Sequence, residues 1–219
     1  MNPLIAVAVA AAGVAATVNW YAIVRGDLQL ERVSKAAVLA PLLAAVLLND
    51  PDAKATSLLL GAALAASLAG DWLMLPPGRF TAGLAAFLVA HVAYLAVFLL
   101  GPLDAVLAAA GAAIGVGTLM VAGRPILLGA TRAGMRRPVG AYLVGITLMA
   151  IAATASRSPM AAVGAWLFVA SDARLGWRRF VTSPETRDTA PAWHRLGVMV
   201  PYHAGQILLT VAILLQPAS

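Results

Sequence analysis

The sequence has no cysteine and very few charged residues. Only 11% of its 219 residues are charged, 62% are hydrophobic, and the mean hydropathy is +0.89. The absence of cysteine excludes disulfides, thiolate catalysis and cysteine-based zinc sites. A water-soluble domain is typically about half apolar and about a quarter charged. The composition therefore excludes a water-soluble globule and predicts an integral membrane protein.

The net charge of +6 would suggest a nucleic-acid partner in a soluble protein. Here the basic residues fall in short gaps between long apolar runs, where membrane topology accounts for them. We therefore predict membrane lipids as the surroundings of this chain and no nucleic-acid partner.

Apolar runs recur along the chain at lengths that suit a bilayer. A membrane-crossing helix needs about 20 apolar residues, and backbone groups in lipid must bond within their own helix. We predict an all-α polytopic bundle of eight transmembrane helices that forms a single domain over residues 1–219. The predicted spans are 3–24, 34–48, 55–75, 80–100, 103–122, 137–156, 159–177 and 195–216. The first has no basic residues before it and exceeds a signal-peptide core, so we expect a retained helix.

Basic residues alternate between the gaps that separate these spans. The odd-numbered gaps hold 13 of the 15 lysines and arginines, and the even-numbered gaps hold only Lys54 and Arg157. Basic loops stay in the cytoplasm, so the odd gaps are predicted to be cytoplasmic and both termini to lie outside. We expect the membrane to be the inner membrane of a bacterial cell.

Several polar side chains lie inside the predicted spans. A charged group at the centre of a bilayer costs about 2.5–3.5 kcal/mol on insertion scales, so such residues usually face the bundle interior. The predicted topology places nearly all of them in the cytoplasmic half of the membrane, with His91 near the middle. The set is Asn19, Lys35, Asp71, His91, Asp172, Tyr202, His203 and Gln206, with Tyr94 one helical turn from His91.

Two structural interpretations compete with a functional one. Asp71 could simply pair with Lys35 or an arginine and hold helices together. Asp172 could form an ion pair with Arg174 or Arg178 at a helix end. Two carboxylates and two imidazoles at a similar depth favour a site over two unrelated contacts.

Three blocks of the sequence together carry a family resemblance. They read "SLAGDWLMLPPGRFTAGLAAFLVAHVAYLAVF", "GAWLFVASDARLGWRRF" and "PYHAGQILLTVAI". This chain resembles the YhhN family of lysoplasmalogenase-like membrane proteins over nearly its whole length. Lys35 falls where the family has a lysine at a helix start. The chain departs from the pattern at His203, where a second tyrosine is expected, and at Ala36, where proline is common.

The resemblance implies hydrolysis of the vinyl ether bond of a lysophospholipid, a lysoplasmalogen. The products would be a fatty aldehyde and a glycerophospho-ethanolamine or -choline. Two carboxylates in unequal environments can divide acid and base roles, as they do in glycosidases. We therefore predict Asp71 and Asp172 as the acid–base pair, with their roles open, and His91 as the residue that orients one of them or the water. Lys35, Asn19, Tyr94, Tyr202, His203 and Gln206 are the predicted substrate-binding residues, and no cofactor is predicted.

Two other functions remain open from the residues alone. His91, His203 and the two aspartates could bind zinc in a metal-dependent membrane lipid hydrolase, although no HxxxH or HExxH spacing is present. A small lipid transporter would be favoured by inverted repeats and broken helices. The polar layer occupies one side of the membrane, which favours a pocket over a pathway.

Overall fold

A computed structural model describes residues 2–49, 55–75, 78–188 and 191–215 of the chain. These residues form helices, joined by short turns, and contain no β-strand. The helices are α1 Pro3–Arg25, α2 Leu28–Asn49, α3 Ala55–Leu73, α4 Phe80–Leu99, α5 Ala105–Thr118, α6 Arg124–Arg132, α7 Arg136–Ala155, α8 Pro159–Phe180, α9 Pro184–Asp188 and α10 Ala192–Leu214. A π-helical turn, Leu119–Gly123, joins α5 to α6. The prediction of an all-α chain is confirmed.

Six segments in the described part of the chain are long and apolar enough to cross a membrane. They are α1, α3, α4, the continuous segment Ala105–Arg132, α7 and α10. Helices α2 and α8 are not among the six. Each contains several charged side chains, among them Arg32 and Lys35 in α2 and Asp172 and Arg174 in α8. Eight spans with both termini outside therefore remain a prediction. Lys54 and the last residue of the eighth predicted span lie outside the described residues.

The first gap is much shorter than predicted, since α2 begins at Leu28 and not at residue 34. Gly26 ends α1 in the left-handed conformation, with φ of 71°, which glycine adopts without the steric cost of a Cβ. The Asp27 carboxylate then accepts hydrogen bonds from the backbone N–H groups of Gln29 and Leu30. An aspartate in this position starts a helix, so Gly26 and Asp27 form the whole connection.

The fifth predicted span also ends too early. The chain stays helical from Ala105 to Arg132, so most of the predicted loop after residue 122 is helix. The π-helical turn at Leu119–Gly123 is one wider turn, and the helix continues on both sides of it. Such turns are rare in proteins overall, and those that occur are often found at functional sites. The seventh predicted span likewise continues past residue 177 to Phe180.

Glycines bring α8 close to α10. A Cβ on Gly205 would lie 2.8 Å from the Gly164 carbonyl oxygen and 3.2 Å from the Phe168 backbone nitrogen. Backbone atoms cannot move aside easily, so only small residues allow this approach. The crossing fixes the position of Asp172 on α8 relative to Tyr202 on α10.

Pro201 lies inside α10, directly before Tyr202. Proline has no N–H to donate to the carbonyl four residues earlier, which is that of Gly197. The Arg174 guanidinium of α8 lies 3.5 Å from the Gly197 oxygen, and the Ser171 hydroxyl donates to the Val198 oxygen at 2.9 Å. Neighbouring helices commonly satisfy carbonyls that a proline frees. Helix α8 thus supports α10 at the turn that presents Tyr202 and His203.

Candidate active site

Asp71 lies near the end of α3 and is almost completely buried. Its Oδ1 atom is 2.8 Å from the Lys35 ammonium of α2, and its Oδ2 atom accepts a 2.8 Å hydrogen bond from the Tyr202 hydroxyl of α10. The Lys35 ammonium also lies over the Tyr202 ring, 5.6 Å from its centre. The ion pair between Asp71 and Lys35, which the sequence suggested as a structural role for Asp71, is therefore present in the structure. This ion pair also keeps a carboxylate and its counter-ion together inside the bundle.

Asp172 of α8 has a different set of partners. Its Oδ2 atom accepts a short hydrogen bond from the Tyr142 hydroxyl of α7 and lies 3.6 Å from Nε2 of His91 on α4. The His91 Nε2 atom is also 2.9 Å from the Tyr142 oxygen. The described partners of Asp172 are thus a phenol and an imidazole, and not the arginines that sequence reasoning considered.

Tyr142 is the residue of this group that the sequence analysis missed. It lies in the sixth predicted span, which starts from the cytoplasmic side at residue 137, so the topology argument already placed it at the depth of the others. Nothing in the spacing along α7 indicates that it meets His91 and Asp172, because the three residues come from different helices.

Aromatic rings connect the two groups of residues. The Phe168 ring contacts His91 edge-to-face at 4.8 Å and Tyr202 at 5.3 Å between ring centres. The Phe87 ring contacts both Phe168 and Tyr202. Edge-to-face contacts of this kind hold rings in fixed orientations. The two groups are therefore parts of one packed region.

A second polar layer continues from Tyr202 along α10. The Tyr94 hydroxyl donates to Oε1 of Gln206 at 2.7 Å, and the Trp20 indole donates to Nδ1 of His203 at 3.1 Å. An indole N–H can only donate, so Nδ1 of His203 is the accepting nitrogen and the neutral ring carries its proton on Nε2. The buried Nε2 atoms of His203 and Gln206 have no hydrogen-bonding partner among the described residues. Two buried N–H donors, unpaired within the described ranges, are thus available to bind another molecule.

Asn19 connects α1 to α2. Its amide nitrogen donates to the Glu31 carbonyl at 2.8 Å and to the Ser34 hydroxyl at 3.1 Å. The Glu31 carboxylate in turn forms an ion pair with Arg195 of α10. Asn19 therefore supports the helix that carries Lys35, while its own buried oxygen has no partner within the described ranges.

An apolar cavity lies beside Asp172, between α4, the π-helical turn, α6, α7 and α8. It has a volume of about 690 Å³ with its open mouth included. Asp172 and Tyr142 are in its wall, whereas Lys35 and Asp71 are not. The other lining groups are almost all aliphatic or aromatic, among them Leu84, Leu119, Ile126, Ile146 and Phe180.

The sequence-predicted residues thus come together in two groups and one adjoining layer. Asp71, Lys35 and Tyr202 form the first group, and Asp172 and His91 form the second with Tyr142. Tyr94, Gln206 and His203 line the adjoining layer, and Asn19 supports it from α1. No three histidine, aspartate or glutamate side chains of the described residues are grouped so that they could hold a metal ion.

The comparisons with known proteins agree on one family. The YhhN family profile matches residues 30–213. The chain is 36% identical to lysoplasmalogenase TMEM86B of Rattus norvegicus over 73% of its own length, and it spans 63% of that protein. It is 33% identical to a lysoplasmalogenase of Mycobacterium bovis over 84% of its length and 70% of that protein. It is also 33% identical to human TMEM86B, over 77% and 68% respectively. No solved structure gives a significant match. On the family match and these identities, the chain belongs to the YhhN family.

Proposed function

We propose that this protein is a hydrolase that cleaves the vinyl ether bond of lysoplasmalogens. The names of its relatives, lysoplasmalogenases, support the reaction. The observation that carries the proposal is the pair of carboxylates with unlike partners, Asp71 beside Lys35 and Asp172 beside His91. Carboxylates placed in different environments are how glycosidases divide acid and base roles.

The reaction is the addition of water across an enol ether. A proton adds to the alkenyl carbon that is second from the oxygen, and the cation that forms is shared between the first carbon and that oxygen. Water attacks the first carbon and loses a proton, which gives a hemiacetal. The hemiacetal collapses to a fatty aldehyde and the alcohol of a glycerophospho-ethanolamine or -choline. The reaction therefore requires a proton donor, an anion near the cation and a base for the water.

The partners of each carboxylate suggest its role. Lys35 balances the charge of Asp71 and Tyr202 holds one of its oxygens, so we assign to Asp71 the roles of anion and base. Asp172 accepts a hydrogen bond from a phenol and lies 3.6 Å from an imidazole nitrogen, and both of these groups can carry a proton. We assign proton donation to Asp172, with His91 and Tyr142 as the groups that orient and resupply it.

The remaining polar residues are proposed to hold the glycerophosphate part of the substrate. The Nε2–H groups of His203 and Gln206 and the Oδ1 atom of Asn19 are buried and have no hydrogen-bonding partner among the described residues. Such groups bind hydroxyl or phosphate oxygens. Because Lys35 already contacts Asp71, we propose that it links the carboxylate to the headgroup and does not bind phosphate alone.

The topology is part of the proposal. We propose a single domain whose eight helices cross the inner membrane of a bacterium, with both termini outside. The site would then lie in the cytoplasmic half of the membrane. Polar and charged groups inside spans usually face the interior of the bundle, which fits the burial of Asp71 and His91.

The proposal is tested with purified protein and defined lysolipids that have either a vinyl ether or a saturated ether at the same position. Mass spectrometry should detect aldehyde from the vinyl ether alone. In heavy water the aldehyde should carry one deuterium on the carbon next to its carbonyl, with unlabelled aldehyde plus protein as the exchange control. Absence of aldehyde from every vinyl ether substrate would refute the proposed activity.

A chelator separates this mechanism from the metal-dependent alternative. Turnover by the two carboxylates should survive treatment with chelator, and elemental analysis should find no stoichiometric zinc. Turnover that is lost to chelator and restored by zinc would replace the proposed mechanism by a metal-dependent one.

A further inference from the structure

We propose that the apolar cavity beside Asp172 binds the single hydrocarbon chain of the lysolipid, and that the π-helical turn Leu119–Gly123 sets the chain length it accepts. The proposal rests on the proposed function, since it names the part of the substrate that this cavity holds. It adds a chain-binding site and a residue that determines specificity, Ala122.

The lining of the cavity fits one aliphatic chain. The cavity is open at its mouth, and the space among its lining residues is about 690 Å³ with the open mouth included. The polar side chains in its wall are Asp172 and Tyr142, together with two threonines, Thr118 and Thr147. A polar headgroup would find few partners there, whereas hydrocarbon would contact aliphatic and aromatic side chains.

The position of Asp172 fixes the direction of the chain. In a vinyl ether the alkenyl carbons are the first two of the chain, next to the oxygen that leads to the headgroup. A chain that extends into the cavity therefore places these carbons at its polar end, beside Asp172 and Tyr142. The headgroup then lies outside the cavity, towards Lys35 and α10, where the free donors of His203 and Gln206 are found.

The π-helical turn is a single helical layer that separates the cavity from the surroundings of the bundle. Leu119, Ala122 and Gly123 line the cavity, while Met120 and Val121 are 65% and 75% exposed on the opposite side. Two consecutive residues of this turn thus face outward while their neighbours on both sides face inward. Side chains on its inner face thus control how much of the cavity is open to a chain.

Selectivity for chain length must come from how well the hydrocarbon chain fits the cavity. A chain in the bilayer is already in hydrocarbon, so its transfer into an apolar cavity gains little free energy from dehydration. A side chain that blocks part of the cavity would exclude the longer chain and leave the shorter one unaffected. One extra or missing methylene group in an apolar pocket typically changes the discrimination between two substrates by roughly 10- to 200-fold.

The test compares Ala122→Phe with Val121→Phe, its matched control on the outer face. Both variants add the same ring to neighbouring residues of one turn. The probes are saturated-ether lysophosphoethanolamines with octyl and hexadecyl chains, which the proposed reaction does not cleave. An equimolar mixture is added to the detergent-solubilised full chain, and native mass spectrometry gives the ratio of bound hexadecyl to bound octyl lipid.

The expected result is a hexadecyl-to-octyl ratio at least about tenfold lower in Ala122→Phe than in the wild type, with no change in Val121→Phe. Leu119→Ala, which widens the cavity, should raise the ratio and serves as the test if Ala122→Phe does not fold. Equal ratios in the wild type and in the folded cavity variants would overturn the proposal, as would an equal fall in Val121→Phe.

The outcome also separates this proposal from the function on which it rests. Chain-dependent binding that responds to Ala122→Phe, in a protein that cleaves no vinyl ether, would support the chain site and refute the reaction. Cleavage of vinyl ethers with a chain preference that ignores Ala122→Phe and Leu119→Ala would support the reaction and refute the chain site.

Discussion

The Tyr142 hydroxyl donates a hydrogen bond to Oδ2 of Asp172, and the same oxygen of Tyr142 lies 2.9 Å from Nε2 of His91. One phenol thus connects α7 to His91 of α4 and Asp172 of α8, two residues of the candidate site. A hydroxyl in this position orients the carboxylate and can pass a proton between it and the imidazole. Tyr142 is therefore a positioning residue of the proposed reaction.

Tyr142→Phe removes the hydroxyl and keeps the ring. A hydrogen bond to a charged group is worth about 1.5–3 kcal/mol, so we expect kcat to fall by about ten- to a hundredfold with KM little changed. Phe168→Leu, which changes the packing beside His91 but not the hydrogen bonds of Asp172, is the control and should keep kcat nearer to the wild-type value. A kcat for Tyr142→Phe equal to that of the wild type would limit this residue to packing.

Asp71→Asn and Asp172→Asn test the proposed acid–base pair. Asparagine has nearly the size of aspartate but does not exchange a proton at neutral pH, so each variant should lose at least about a hundredfold in turnover. If the two carboxylates act as one unit, the double variant should be little worse than either single one. Turnover per folded molecule and melting temperature are measured on the same samples. A lower melting temperature with near-normal turnover would leave both residues as structural partners of Lys35 and Tyr142.

Gly205→Val tests the close approach of α8 and α10. The added Cβ would lie 2.8 Å from the Gly164 oxygen, and overpacking of this kind typically costs about 1–3 kcal/mol. We expect a melting temperature lower by several degrees and reduced turnover in the remaining folded protein, since Asp172 and Tyr202 would separate. Gly117→Val is the matched control, because a Cβ at Gly117 meets no atom of the described chain within 4 Å. Equal melting temperatures for the two variants would contradict the inferred crossing.

Asp104 caps the start of α5, directly before the apolar segment Ala105–Arg132, and gives the stability a pH dependence. It accepts hydrogen bonds from the backbone N–H groups of Leu107 and Val106 and pairs with Arg157 at 2.7 Å. The bond from Leu107, followed by the contact with Arg157, lowers the pKa of Asp104 below its ordinary value of 3.8. A lowered pKa adds stability above the ordinary value, and this stability is lost as the pH falls through the lowered one.

The measurement compares the wild type with Asp104→Asn, which keeps a helix-capping side chain but removes the charge. The wild type should melt at the higher temperature at pH 7, and the difference should shrink as the pH is lowered through and below 3.8, the ordinary pKa of aspartate. A difference that is independent of pH would show that the ion pair with Arg157 contributes nothing measurable.

Reporter fusions test the proposed topology. A reporter placed after Gly134, in the turn between α6 and α7, should read as cytoplasmic. Reporters after Gly101 and at the C-terminus should read as external, because an odd number of proposed spans separates each from Gly134. A cytoplasmic C-terminus would refute eight spans with both termini outside.

Much of the fold was accessible from the sequence, for a physical reason. In a bilayer the backbone must satisfy its own hydrogen bonds, so a long apolar run can only be a helix. The six helices of the described chain that are long and apolar enough to cross a membrane follow directly from this rule. The predicted helix ends were less accurate where a local signal competed with hydrophobicity. The Gly26–Asp27 turn started α2 early, and the π-helical turn carried the fifth helix on to Arg132.

For the candidate site, the sequence indicated which residues belong to it but not how they are arranged. The cost of placing charge in lipid singled out Asp71, Asp172, His91 and Lys35 one by one. It could not assign partners, since these come from helices far apart in the chain. The Tyr142–Asp172 bond, the supported turn at Pro201 and the cavity beside the π-helical turn depend on how helices cross. Those crossings are decided by shape, at glycines such as Gly164 and Gly205 where two backbones meet, and hydropathy carries no information about shape.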